Sequence, residues 1–179
     1  MPSAFDLLNL SPALDIDDQE LREAFQKASS QHHPDQGGST ERFEAINQAH
    51  RQLKNRPTRV IALLNHFDVE FDSRGSLSPL LDTLFQEVAN TIQDATPLLQ
   101  KKEDASSPLA SALLEAPILK LQQRISEQIQ ELNQVETSIW NEITSHEELE
   151  VEKLQETARS LTFIYKWKAQ LQSCFARCW

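Results

Sequence analysis

Apolar residues recur every three or four positions along most of the chain, which is the spacing that places them on one face of an α-helix. Segments with this spacing are separated by proline, glycine and short polar stretches. The predicted helices cover residues 4–10, 17–32, a stretch capped by Ser39 or Thr40, and residues 58–65, 80–99, 108–145 and 147–175. The pattern therefore predicts an all-α fold.

Prolines set several of the predicted helix ends. Pro34 ends the second helix, because the residue before a proline resists helical ψ. Gly37 and Gly38 then predict a flexible loop. Pro57 suits the first turn of the fourth helix. Pro97 is expected to fray or end the fifth helix, and a further proline in the sixth is expected to interrupt or restart it.

A polar string at residues 72–76 breaks the apolar pattern and divides the chain into two parts. The helices before it are short, and the three after it are long and amphipathic. Long amphipathic helices with short joins favour an antiparallel bundle. We therefore predict a helical domain at residues 1–66, a linker at 67–76 and an antiparallel three-helix bundle at 77–179.

Charge and hydropathy exclude several functional classes. The formal charge of −10 argues against binding to nucleic acid or to an anionic membrane surface, since both attract cations. The longest apolar runs, such as residues 60–64, are too short to span a bilayer. We see no secretory signal, and two cysteines do not make a disulfide framework. We expect a soluble, cytoplasmic protein.

A His-Pro-Asp tripeptide at residues 33–35 stands at the joint between the second and third predicted helices. The helices around it carry Phe-Asp-Leu-Leu near the start, Leu-Arg-Glu-Ala-Phe-Gln-Lys before the tripeptide and Phe-Glu-Ala-Ile-Asn-Gln-Ala after it. This arrangement resembles the J-domain of the DnaJ class of co-chaperones. The alternative interpretation is that the tripeptide has no special role and marks an ordinary helix end followed by a polar loop.

The resemblance implies that the domain docks on an ATPase chaperone of the DnaK class and stimulates its ATP hydrolysis. A J-domain breaks no bond itself, so we expect no enzymatic activity and no cofactor. A loop carboxylate at this position can accept a bidentate pair from a partner arginine. The docking residues implied by the resemblance are Arg22, Lys27 and His32 on the helix, with His33, Pro34 and Asp35 in the loop.

The chain is also similar to HscB, the J-type co-chaperone of bacterial iron–sulfur cluster assembly. The similarity rests on residues 5–8, on Ile-Asn-Gln-Ala-His at residues 46–50, and on residues 59–64 followed by Phe-Asp. It implies a C-terminal three-helix bundle, a partner ATPase of the HscA class and the scaffold protein IscU as client.

A hydrophobic client surface is implied by the same resemblance. Its residues would be Leu80, Leu81, Leu84 and Phe163. Phe85 and Val88 stand where HscB proteins carry glutamate. Helical spacing alone favours a place in the bundle core for each of the four.

Two alternatives remain open. One is a J-domain co-chaperone whose bundle is a divergent adaptor for a different client. The other is a metal-dependent hydrolase using His32, His33 and Asp35, but neighbouring residues do not share a helix face and no tight ligand set is present. Cys174 and Cys178 lie on one helix face, and two thiolates alone do not close a zinc site. We expect no bound metal.

Overall fold

The structure, a computed structural model, describes residues 2–33, 38–146 and 149–179, and all the regular secondary structure in them is helical. No strand occurs within those residues, which confirms the all-α prediction. The helices are α1 (Ala4–Leu8), α2 (Asp18–Gln31), α3 (Thr40–Lys54), α4 (Arg56–His66), a 3₁₀ turn (Pro79–Leu81), α5 (Asp82–Glu103), α6 (Pro108–Ser145) and α7 (Val151–Arg177).

Local capping explains where the first helices begin and end. Ser3 and Asp6 form a reciprocal capping box at the start of α1, and Asp17 accepts a hydrogen bond from the Gln19 N–H at the start of α2. Helix α1 is shorter than predicted because Asn9 adopts a left-handed conformation with φ of 52°. Asparagine tolerates this conformation, which closes a helix by satisfying its last carbonyls.

The first four helices enclose a core around α3, against which both α1 and α2 pack. Phe5, Ile46 and Leu53 are fully buried there. Arg59 is also buried, and its guanidinium donates hydrogen bonds to the carbonyls of Leu14 and Leu53. One buried cation therefore ties the loop before α2 to the C-terminal end of α3, with its own donors satisfied.

The two internal prolines neither end nor interrupt their helices, so the expectations for Pro97 and for Pro117, the proline in the sixth helix, were both wrong. Helix α5 continues through Pro97 to Glu103, and α6 continues through Pro117. Both prolines are exposed, so the backbone carbonyl that loses its helical partner can be solvated. Burial of the apolar residues on either side, such as Ala95 and Leu99, offsets the cost of the missing hydrogen bond.

Ion pairs show how the long helices run. Lys153 of α7 pairs with Glu142 of α6 at 2.8 Å, and Lys168 of α7 pairs with Glu136 of α6 at 2.8 Å. As the residue number increases along α7, the residue number of its partner on α6 decreases. Helix α7 is therefore antiparallel to α6. Leu154, Ala158, Leu161 and Leu171 form an apolar stripe on α7 that is fully inaccessible to solvent.

Packing groups the residues into two compact units. The first contains Met1–Ser76 and Trp140–Leu161, and the second contains Leu77–Ile139 and Thr162–Trp179. The ends of α6 and α7 that meet at their connection thus belong with the first unit. The division at residues 66 and 77 into separate folding domains stays a prediction.

The segment predicted as a linker is bound to α7 within the first unit. Arg159 is 9% exposed and donates hydrogen bonds to the carbonyls of Asp72, Arg74 and Ser76 at 2.9–3.1 Å. Gly75 has a φ of +132°, and a Cβ there would lie 2.9 Å from the Arg159 guanidinium carbon. The segment is irregular, but these contacts hold it in place.

Candidate protein-docking sites

Helix α2 presents the predicted docking cations to solvent. Leu21 and Ala28 are buried on its inner face, so the helix is fixed by apolar packing. Arg22 and Lys27 are exposed. A cation held on a rigid helix loses little conformational freedom when it meets a carboxylate on another protein.

The end of α2 places the two histidines. His32 closes the helix, and its backbone N–H donates to the Ala28 carbonyl at 3.2 Å. The His33 ring lies edge-on to Phe43 of α3, with 5.2 Å between ring centroids. Pro34 and Asp35 lie outside the described residues. The docking role of all these residues stays a prediction.

Gly38 makes close backbone contact with the end of α2, whereas Gly37, the other glycine of the predicted flexible loop, lies outside the described residues. The Gly38 N–H donates to the His33 carbonyl at 3.1 Å. A Cβ on Gly38 would lie 2.1 Å from the His32 carbonyl oxygen. Backbone atoms do not yield as a side chain does, so no larger residue fits without moving the joint.

A cleft of about 360 Å³ lies between α2 and α3 beside Arg22. Phe25 and His50 stack in it with 4.1 Å between ring centroids and 19° between ring planes. The cations of Arg22 and Lys54 also line the cleft, together with the carboxylate of Asp18. Sequence periodicity assigned His50 to the core face of α3 but gave no signal for the stacked pair.

The environment of His50 predicts a pH-dependent stability. Partial burial lowers the pKa of His50, and the charge of Lys54 lowers it further. The unfolded chain, in which His50 has its ordinary pKa, therefore binds a proton at this residue more tightly than the folded protein does. The stabilisation that neutral His50 gives the folded state is complete above about pH 6.5. This stabilisation is lost as the pH falls below about 6.5 and through the lower pKa of His50 in the folded state.

We expect His50→Phe, which keeps a ring against Phe25, to lose less stability than the parent between about pH 7 and pH 5. Chemical denaturation at a series of pH values measures this difference. His146→Phe, which changes an exposed histidine, serves as the matched control. Parallel pH profiles for the parent and His50→Phe would contradict the assignment.

The four predicted client residues differ in how much of each side chain is exposed to solvent. Leu81 and Leu84 are only 1% and 6% exposed, so both pack in the core of the second unit. Leu80 is 47% exposed and Phe163 is half-buried. Of the four residues, only Leu80 and Phe163 offer apolar surface to another protein in this structure.

Phe85 extends that surface, and Trp167, which is only 7% exposed, packs against it from the core. Phe85 is 52% exposed and lies edge-on to Trp167, with 5.7 Å between ring centroids. The ring centroids of Phe163 and Trp167 are 5.8 Å apart. We call Phe85, Phe163 and Trp167 the aromatic cluster. The predicted client surface included Phe163 but neither Phe85 nor Trp167.

The described residues contain no group of three or more His, Cys, Asp or Glu side chains that could hold a metal ion. Cys178 is buried, and burial raises the pKa of its thiol. A raised pKa keeps the thiol protonated and unreactive.

Among the described residues, no helix is both long and apolar enough to cross a membrane.

Comparison with known proteins agrees with the geometry of the α2–α3 hairpin. Residues 3–61 match the family model of the DnaJ domain. A co-chaperone protein HscB homolog from Neisseria meningitidis serogroup A is 30% identical over 97 residues, which cover 49% of this chain and 58% of that protein. The chain thus spans little more than half the length of this relative. The chain therefore contains a match to the DnaJ domain at residues 3–61 and is similar to an HscB homolog over about half of its length.

Proposed function

We propose that the protein is a co-chaperone that stimulates ATP hydrolysis by a DnaK/HscA-class chaperone and delivers an IscU-like scaffold protein to it. The observation that carries the first half is the match of residues 3–61 to the DnaJ domain, on a hairpin that exposes Arg22 and Lys27. The protein itself needs no catalytic group for this role, since the partner hydrolyses the ATP.

The described residues on either side of the His-Pro-Asp loop support such a docking role. Gly38 and the edge-on contact between His33 and Phe43 fix the backbone that enters the His-Pro-Asp loop. Proline further restricts that loop in the unfolded and free states. Backbone that is fixed on either side of a docking loop loses less entropy when the ATPase binds.

The aromatic cluster supports a client-binding role for the bundle. Exposed aromatic side chains on rigid helices are common anchors of protein interfaces, because they bury a large area with few rotatable bonds. Phe85 and Leu80 are each about half exposed, and Phe163 is half-buried. An apolar segment of a client fits this surface.

One observation favours a different client within the same function. Phe85 stands where HscB proteins carry glutamate, and Val88, at the next such position, is buried. The surface is therefore more apolar than a carboxylate-bearing one, and it selects less strongly for basic residues on the client. A J-domain co-chaperone with a divergent adaptor bundle is the second candidate.

Two measurements on the full chain test the proposal. We expect the protein to accelerate single-turnover ATP hydrolysis by a DnaK/HscA-class chaperone, and we expect an IscU-like scaffold to bind it in solution. The triple variant Arg22→Glu, Lys27→Glu and Asp35→Asn is the control for the first measurement, and Phe85→Glu is the control for the second. Absence of acceleration would contradict the co-chaperone role. Acceleration without scaffold binding would favour the second candidate.

A further inference from the structure

Trp167 connects the two aromatic side chains that the second unit offers to a client. Its own side chain is buried, whereas the Phe85 ring is half exposed and the Phe163 ring is half-buried. The ring planes of Phe85, on α5, and Trp167, on α7, are inclined by 61°. Phe163 precedes Trp167 by one turn of α7, and their ring planes are inclined by 60°. One buried indole therefore contacts both rings, and all three residues belong to the second unit.

The indole is held in place by the core. Ile164 and Leu171 lie three residues before and four residues after Trp167, on the same face of α7, and both are fully buried. A buried side chain in a close-packed core has little freedom to change its rotamer. Trp167 thus provides a fixed support at the border between the core and the surface.

The exposed ring of Phe85 depends on such a support. A half-exposed phenylalanine can exchange rotamers unless a neighbour restricts it. Inclined aromatic pairs at these distances attract each other, because the ring edge is partly positive and the ring face is partly negative. The contact with Trp167 therefore favours one orientation of the Phe85 ring. Phe163 is restricted in the same way by its contact with the indole.

We propose that Trp167 is a positioning residue of the client-binding surface. It sets the orientation of the Phe85 and Phe163 rings before a client arrives, so these rings lose less conformational entropy on binding. This role rests on the proposed client-binding function of the aromatic cluster. It adds a separate task for the buried member of the cluster, which acts on the client through the other two.

Isothermal titration of the full chain with an IscU-like scaffold tests this role. We expect Trp167→Leu, which keeps an apolar side chain but removes the ring, to weaken scaffold binding at least about tenfold. Trp167→Phe keeps a ring at this position and should retain most of the affinity.

A matched control separates positioning from loss of stability. Leu99 is fully buried on α5, fourteen residues and therefore about 21 Å along the helix from Phe85. Leu99→Ala should lower the unfolding free energy through a core cavity, yet change scaffold binding by less than about threefold. Chemical denaturation of every variant identifies conditions in which all of them are folded.

A second measurement asks whether Phe85 acts through Trp167. In the parent, Phe85→Ala should weaken scaffold binding roughly thirtyfold or more. In the Trp167→Leu background the Phe85 ring is no longer oriented, so the same substitution should weaken binding less than about tenfold. A core that is merely destabilised would leave the cost of Phe85→Ala the same in both backgrounds.

The possible outcomes distinguish the positioning role from the function on which it rests. A scaffold that does not bind the parent contradicts the proposed client, and the positioning role fails with it. A scaffold that binds the parent and Trp167→Leu equally well overturns the positioning role alone. Equal costs of Phe85→Ala in the two backgrounds, or a loss of binding in Leu99→Ala as large as in Trp167→Leu, also overturn the positioning role alone.

Discussion

Replacing His33 by glutamine should abolish stimulation of a DnaK/HscA-class ATPase while leaving the helical fold intact. His33 is half-buried at the end of α2, so its loss removes little core surface and should cost at most about 1 kcal/mol of unfolding free energy. It does remove the ring that packs edge-on against Phe43 beside the His-Pro-Asp loop. The orientation of the loop, and hence docking, then suffers more than stability.

Asp35→Asn should have the same effect by a different route, because it removes the charge that we propose pairs with a partner arginine. Loss of one member of a buried charge pair across an interface costs about 2–5 kcal/mol, which corresponds to a loss of at least roughly thirtyfold in binding. Single-turnover ATP hydrolysis and denaturation, measured on the same preparations, separate docking from folding.

A matched histidine provides the control for this experiment. His146→Gln makes the same change at an exposed position outside the matched DnaJ domain, and it should leave the ATPase rate unaltered. Gly38→Ala adds an independent variant, since its new methyl group would press on the His32 carbonyl and displace the joint. Full stimulation by a folded His33→Gln protein would remove the proposed docking role.

The helices and their order could be predicted from the sequence because their signals are local. A capping aspartate, a repeating apolar face and a proline in a first turn lie within a few residues of the helix end that they specify. Asp17 and Pro57 act in this way in the structure. The end of α5 could not be predicted at Pro97, because burial of Leu99 beyond the proline outweighs the local penalty.

Contacts between distant parts of the chain were not predictable in the same way. The polar composition of residues 72–76 suggests a linker, yet Arg159 holds this segment by three carbonyl hydrogen bonds across more than eighty positions of sequence. Arg56 and Arg59 likewise meet the Trp140 ring, with the guanidinium carbons 5.0 and 5.7 Å from its centroid. No spacing rule connects such residues.

The client surface shows the same limit. Helical periodicity placed Leu81, Leu84 and Phe163 on apolar faces but could not separate core from surface, and the resemblance assigned all three to the client. Burial distinguishes them, because Leu81 and Leu84 point into the core and Phe163 stands at its edge. Phe85, the most exposed member of the aromatic cluster, could be recognised only once α5 and α7 were placed together.

Removing the exposed rings should therefore weaken client binding far more than it weakens folding. We expect Phe85→Ala and Phe163→Ala each to reduce the affinity for an IscU-like scaffold by about 2 kcal/mol or more, as is typical of aromatic anchors. The unfolding free energy should fall less, and least for Phe85→Ala, whose ring is half exposed.

Leu84→Ala supplies the contrasting case on the same helix as Phe85. Its side chain is 6% exposed, so truncation should cost about 2–5 kcal/mol of unfolding free energy through a core cavity. Binding by the protein that remains folded should change little. Chemical denaturation and isothermal titration with the scaffold on all three variants distinguish core residues from client-binding residues.

If Phe163→Ala lowers the unfolding free energy by as much as a core truncation does, Phe163 is a packing residue and the client surface is misplaced. If neither affinity nor stability changes in Phe85→Ala and Phe163→Ala, the aromatic cluster does not bind this client, and a different client becomes the better hypothesis.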